Sequence, residues 1–168
     1  LYSSAASDVY KRQVVSHTDE NIDNERQAVE TLIEKRVDGL ILVPASDQDH
    51  DHLKPSKLGS TPLVLIDRRL NGVDFPSVTT GDHQGALEAV HYGHGKGHRN
   101  MAFIVAVPGV KGGTKLRPHI PLSTVLDRTN GFEQAIKELK LKPQMLFCED
   151  SQKGAEVEVE KLLQGKDR

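Results

Sequence analysis

The sequence predicts an α/β fold built on mostly parallel sheet, and three observations carry that expectation. Short, unbroken apolar runs alternate with segments of helical period along most of the chain. The runs lack polar alternation, which marks strands covered on both faces. Helical segments stand between successive runs, as the crossovers between parallel neighbours require. No repeat of solenoid period competes with this reading.

Taken in order, residues 14–17 are a short strand candidate, followed by a helix over 21–36. Asn21 or Asp23 is available as its cap, and Ala28, Val29, Leu32 and Ile33 share one face. Asp38-Gly39 should end it. Residues 40–43 are an apolar run expected to be covered on both sides, 47–58 a weaker helix interrupted by Pro55, and 63–66 a buried strand. A short strand over 77–79 precedes a helix over 83–92 with Ala86, Ala89 and Val90 inward. Then come a strand over 101–107, a Gly-, Pro- and Lys-rich loop over 108–121, and a helix over 123–139 burying Phe132, Ala135, Ile136 and Leu139. A strand over 145–148 and a helix over 154–164, with Ala155, Val159, Leu162 and Leu163 inward, complete the pattern.

Composition narrows the function. With 22 basic against 24 acidic residues the net charge is -2, so these 168 residues are not expected to grip a phosphate backbone alone. One cysteine, Cys148, excludes an internal disulfide and is compatible with a reducing compartment. No apolar run approaches the roughly 18 residues of a membrane span. Residues 1–13 (LYSSAASDVYKRQ) show neither a signal-peptide pattern nor a useful period. They read like a translated sequencing-adapter scar and are set aside as a non-native tail.

The wording of five segments says more than their periods. They are Asn24-Glu25-Arg26-Gln27 with 37–44, then 61–68 ending in Asp67-Arg68, then Ser77-Val78-Thr79-Thr80 with Asp82 and Gln84-Gly85-Ala86. Gly97-His98-Arg99-Asn100-Met101-Ala102-Phe103-Ile104 and Arg128 with Gly131-Phe132 and Ala135 complete the set. In order and spacing they resemble the effector-binding domains of LacI/GalR-type transcription regulators. The resemblance implies a periplasmic-binding-protein-like type I fold: two doubly wound parallel-sheet lobes, both incomplete here. Residues 14–80 would form the N-terminal lobe without its first strand and helix, and 81–168 the start of the C-terminal lobe. A DNA-binding headpiece would lie upstream, and a strand ending in a ligand-binding Asp downstream. With the first strand lost, 14–17 should either detach or slide in beside 40–43, leaving a marginal, aggregation-prone fragment.

The implied function is sensing a sugar or sugar-like effector between the lobes of a cytoplasmic regulator, homodimeric at full length, that meets DNA only through the headpiece. A periplasmic sugar-binding protein of an ABC transporter is the alternative, since it shares the cleft. Open parallel sheets bind ligands beyond the carboxyl ends of their strands, and Asp67 and Arg68 directly follow the run 63–66. An Asp accepts hydroxyl hydrogen bonds and an Arg offers a planar fork of donors, a pair suited to vicinal sugar hydroxyls and a ring oxygen. The competing reading is a surface ion pair. Ser46 follows the run 40–43 and either lines the cleft or caps the next helix. In the resembled family an arginine three or five residues before Gly-Phe reaches the cleft. The earlier position here is Leu126 and the later is Arg128, with Thr124 on the same helical face as a hydroxyl donor.

Other chemistries fare worse. His91, His94 and His98 have helical spacing, but Gly93, Gly95 and Gly97 argue against a rigid helix, so no metal or other cofactor is expected. Asp49-His50-Asp51-His52 reads as a solvated loop face. Neither 93–97 nor 109–115 matches a phosphate-binding loop, no G-x-S-x-G elbow appears, and Cys148 lies inside an apolar strand. No catalytic constellation emerges, so the chain is not expected to be an enzyme.

Overall fold

A computed structural model describes residues 12–47, 49–110 and 117–165. Among them, β1 (Leu40–Leu42), β2 (Leu63–Ile66) and β3 (Ser77–Val78) form one parallel sheet in the order β1-β2-β3. The second sheet pairs β4 (Ala102–Val107) with β5 (Gln144–Glu149), also parallel, with Phe103 opposite Met145 and Val105 opposite Phe147. The helices are α1 (Ile22–Glu34), α2 (Pro55–Leu58), α3 (Asp82–Gly95), α4 (Ser123–Glu138) and α5 (Gln152–Leu163). Nearly all of the segment set aside as a tail, and the stretch 111–116 of the long loop, lie outside the described residues.

In the first sheet alternate residues face one core. Leu40, Leu63 and Leu65 bury against Val29 of α1, Leu53, Leu58 and Leu70. Asn21 starts α1 because its side-chain oxygen accepts from the amides of Asp23 (2.8 Å) and Asn24 (3.1 Å), a cap worth about 1 kcal/mol. The opposite sheet face is open. Ile41 is 73% and Val78 65% exposed, and Val43 and Ile66 are also exposed. The expectation that 40–43 is covered on both faces is therefore corrected, since an unbroken apolar run does not say which faces find partners. Residues 14–17 form no strand, and Val15 is 83% exposed. The substitute strand beside β1 is not made.

In the second sheet α3 and α4 lie together over one face, burying Val90, Phe132, Ala135 and Ile136. Phe132 stacks on Phe103 with ring centroids 5.0 Å apart. α5 packs on both strands of this sheet. Its inward face differs from the expected one, because Glu158 is buried while Val159 and Leu163 are exposed. Glu158 pairs with Lys161 at 2.6 Å, which lets a carboxylate occupy the inner face. The expected helix 47–58 is instead a 3₁₀ turn, Asp51–Leu53, and the four-residue α2 with Pro55 in its first turn.

Three helices end alike. The amide two residues past the cap returns to the third-last helical carbonyl, as in His98 to Gly93 (3.1 Å), Leu141 to Ile136 (3.0 Å) and Val37 to Leu32 (3.3 Å). The motif requires a left-handed residue, which is Gly97 after α3 but Arg36 after α1 and Lys140 (φ 53°) after α4. α3 thus runs through Gly93 and Gly95, where a break was expected, and α1 ends at Glu34, two residues short of the expected 21–36, with left-handed Arg36 and not Asp38-Gly39 turning the chain. A side chain held left-handed costs about 1 kcal/mol. Lys140→Gly is therefore expected to stabilise the chain by about that amount, read as a higher urea midpoint. A lower midpoint would count against this reading of the cap.

Candidate ligand-binding site

The carboxyl ends of β1 and β2 bring Pro44, Asp67 and Arg68 to one place. The Asp67 amide donates to the Val78 carbonyl (2.9 Å), carrying the β2–β3 ladder one residue further. The Arg68 amide then donates back to Ile66 (2.8 Å), closing a three-residue turn about Asp67 at φ 69°. That turn form is rare and strained for a non-glycine residue, and strain of this kind gathers at functional sites. The Asp67 side chain is 41% exposed, and among the described residues its nearest cation is Nε of Arg68 at 3.7 Å.

Arg68 is held more firmly. Nη1 donates to the Pro44 carbonyl (2.9 Å) and to Glu20, and Nη2 donates to the other Glu20 oxygen (3.2 Å). Nε is buried without a hydrogen-bond partner. Glu20 stands in the turn before α1, where Asp19 and Glu20 both have positive φ. Beneath this group a buried carboxylate fixes the loop after β1: Glu25 accepts from the Ala45 amide (2.6 Å) and pairs with His52 Nε2 (2.7 Å). His52 is buried, so the solvated-loop expectation for 49–52 is corrected at that residue. Ser46 is half-buried and accepts from the Asp49 amide at 3.5 Å, a marginal bond that starts a turn and not a helix.

The other two expected residues lie on α4. Arg128 donates through Nε to Asp82 at the start of α3 (2.6 Å), and Thr80 donates to the second Asp82 oxygen (2.6 Å). Burial alone raises the Asp82 carboxyl. The hydrogen bonds from Thr80 and Arg128, with the charges of Arg128 and Arg69, outweigh it and hold the group below its ordinary value. Thr124 is buried while Arg128 is exposed, so the two do not present a common surface. The loop after β1 docks just ahead of α4, with the Asp47 amide donating to Pro121 (3.1 Å).

Arg69, absent from the expected set, ties the two groups together. Its amide donates to Ser123 Oγ (2.9 Å) and its guanidinium pairs with Asp127 (2.5 Å). Asp67 and Arg68 thus stand two and one residues from a contact with α4, whose next residues include Thr124 and Arg128. Asn71 donates to the Asp47 carboxylate (2.7 Å), whose other oxygen is buried without a partner. Burial raises the Asp47 carboxyl above its usual range, offset in part by the charge of His119. A cavity of about 170 Å³ among Asp47, Arg69, Asn71, Phe75, Ser123 and Leu126 lies here. A larger one, about 330 Å³, lies among Arg117, Glu133, Gln144, Phe147 and Leu162. Neither is lined by the five expected residues. Glu20 and Asp82 gave no local sign of their pairing, because their partners are 48 and 46 residues away. Glu25 did: it shares a helical face with Val29, Leu32 and Ile33, and a carboxylate on an apolar face needs a buried partner.

The chain is similar to known proteins in sequence and in fold. The sequence matches the family described as periplasmic binding proteins and sugar binding domain of LacI family over residues 3–166, which takes in most of the opening segment set aside above. The HTH-type transcriptional regulator RegA of Clostridium saccharobutylicum is 27% identical over 146 residues, covering 85% of this chain and 40% of that protein. The ribose operon repressor of Halalkalibacterium halodurans is 29% identical over 127 residues, 74% of this chain and 33% of that one. The chain thus spans well under half the length of these relatives. In structure, the Cra transcriptional dual regulator from Pseudomonas putida, in complex with fructose 1-phosphate, superposes with a TM-score of 0.72 at 22% identity. That match covers 90% of this chain and 52% of the regulator. The fold is periplasmic-binding-protein-like, type I, with parallel α/β sheets. This chain belongs to the family of periplasmic binding proteins and LacI-type sugar-binding domains.

Proposed function

We propose that the chain is part of the effector-sensing domain of a LacI-type transcriptional regulator, binding a sugar or sugar-like molecule between lobes formed by residues 14–80 and 81–168. The observation that carries this reading is the strained turn presenting Asp67 at the end of β2, with Arg68 anchored beside it. Asp67 accepts two vicinal hydroxyls, while Ser46 and the terminal nitrogens of Arg128 complete the site from the facing loop and helix, with Thr124 buried behind this surface. The relatives named above are regulators, which favours sensing over solute transport or catalysis. In this reading DNA is held by a separate headpiece, and the regulator works as a cytoplasmic homodimer.

Sensing requires a ligand that favours one arrangement of the two sheets over another. The contacts of Arg69 with Ser123 and Asp127, and of Asp47 with Pro121, join elements on the two sides and are the ones a closing ligand shifts. Titration calorimetry of the intact protein with a panel of neutral pentoses and hexoses tests the assignment. Asp67→Ala and Arg68→Ala should each weaken the best-bound sugar at least tenfold, about 1.4 kcal/mol. Unchanged affinity in both variants would refute it.

A further inference from the structure

We infer that this site takes a neutral sugar and turns away anionic ones such as sugar phosphates and uronates, with Glu20 as the residue that sets the preference. The inference rests on the effector-binding reading above. An anionic ligand is captured by presenting its oxygens to an unoccupied guanidinium fork. Both arginines of the site are already ion-paired within the chain, Arg68 through both terminal nitrogens and Arg128 through Nε. Glu20 sits across the two terminal nitrogens of Arg68, the Pro44 carbonyl takes another Nη1 hydrogen, and Nε is buried. The Arg68 side chain is only 14% exposed, so it cannot swing out to a new partner without breaking all of these contacts. Arg128 is turned onto Asp82, whose side chain is 7% exposed and carries a second bond from Thr80. Arg69 is likewise committed to Asp127.

The balance of charge points the same way. Glu20, Asp67 and Arg68 together carry one net negative charge, and both carboxylates reach solvent, Glu20 at 64% and Asp67 at 41% exposure. A phosphate or uronate approaching Asp67 meets like charge with no unpaired cation to offset it, and discrimination by repulsion is a common route to specificity. A neutral polyol only donates hydroxyl hydrogens to Asp67 and needs no free cation. Recognition of hydroxyls and rejection of anions thus follow from one arrangement.

Calorimetry on the intact protein with D-ribose, D-fructose, D-fructose 1-phosphate and inorganic phosphate tests this. The unmodified protein should bind a neutral sugar at least tenfold more tightly than either anion. Glu20→Gln should raise the ratio of anionic to neutral affinity at least tenfold. The Glu20 side chain is 64% exposed, so the fold should tolerate the change, and a circular dichroism melt checks it. Sugar-phosphate binding gained by the variant should weaken with added salt, whereas neutral-sugar binding should not. Tighter binding of fructose 1-phosphate by the unmodified protein, or an unchanged ratio in folded Glu20→Gln, would overturn the inference while leaving the effector site standing. Failure of every sugar and both anions to bind would remove the effector-binding reading and this inference with it.

Discussion

Replacing Glu25 by alanine is expected to cost about 3 kcal/mol of stability or more, because a buried hydrogen-bonded carboxylate is removed from between two polar partners. The Glu25 carboxylate is 1% exposed and joins three elements: α1, the Ala45 amide after β1, and His52 in the 3₁₀ turn. Without it a half-buried amide and a buried imidazole both lose their partner, and the second ring nitrogen of His52 already has none. Each unsatisfied group costs about 1–3 kcal/mol. Glu25→Gln should lose less, because a side-chain oxygen remains for Ala45. Glu25→Leu combined with His52→Leu should cost much less than Glu25→Ala, since no polar side chain is then stranded. Urea unfolding of the four proteins reads these differences, and an unchanged midpoint in Glu25→Ala would contradict the buried bridge. Because Ala45 adjoins the carbonyl that holds Arg68, the alanine variant should also bind sugar less well.

Gly131→Ala should cost about 3 kcal/mol, the upper end of ordinary overpacking. A methyl group at Gly131 would lie 2.2 Å from the His83 carbonyl oxygen and 3.1 Å from Ala86 Cβ. Neither neighbour is a flexible side-chain tip, so α3 and α4 must separate, loosening the packing around Phe132 and stretching Arg128 away from Asp82. Gly85→Ala provides the contrast. It sits on the same α3, yet its added carbon meets nothing within 4 Å. It should stabilise by about 0.5–1 kcal/mol through helix propensity alone. Thermal melts of both variants decide the matter; equal effects would mean that the close approach of the two helices has been misread.

The parts of this structure that were legible in the sequence are those governed by local rules. β2 falls at the expected residues because Pro62 and Asp67 bound a short run of leucine and β-branched residues. α1 begins at Asn21 because an Asn in extended conformation caps two amides. Partner choice is not local. Val14 and Val15 satisfy a strand pattern, but a strand exists only where a neighbour offers its hydrogen bonds. Ile41 lies inside an apolar run and is nonetheless open, because the run carries no record of what covers each face. On α5 a single ion pair, Glu158 with Lys161, turned a charged residue inward and left Val159 out. The same holds at the site. The position of Asp67 and Arg68 at a strand end was legible, whereas Glu20 and Asp82, which pair with Arg68 and Arg128, lie 48 and 46 residues from those partners.

The measurement closest to the central proposal is hydrogen exchange of the intact protein with and without a saturating neutral sugar. Slowed exchange is expected together at Ala45 and Ser46, at Asp67 and Arg68, and through the first turns of α4 around Thr124 and Arg128. That result would mark a ligand seated across the strand ends and drawing the two sides together. Slowed exchange confined to the cavity among Arg117, Glu133, Gln144, Phe147 and Leu162, or none at the strand ends, would contradict it.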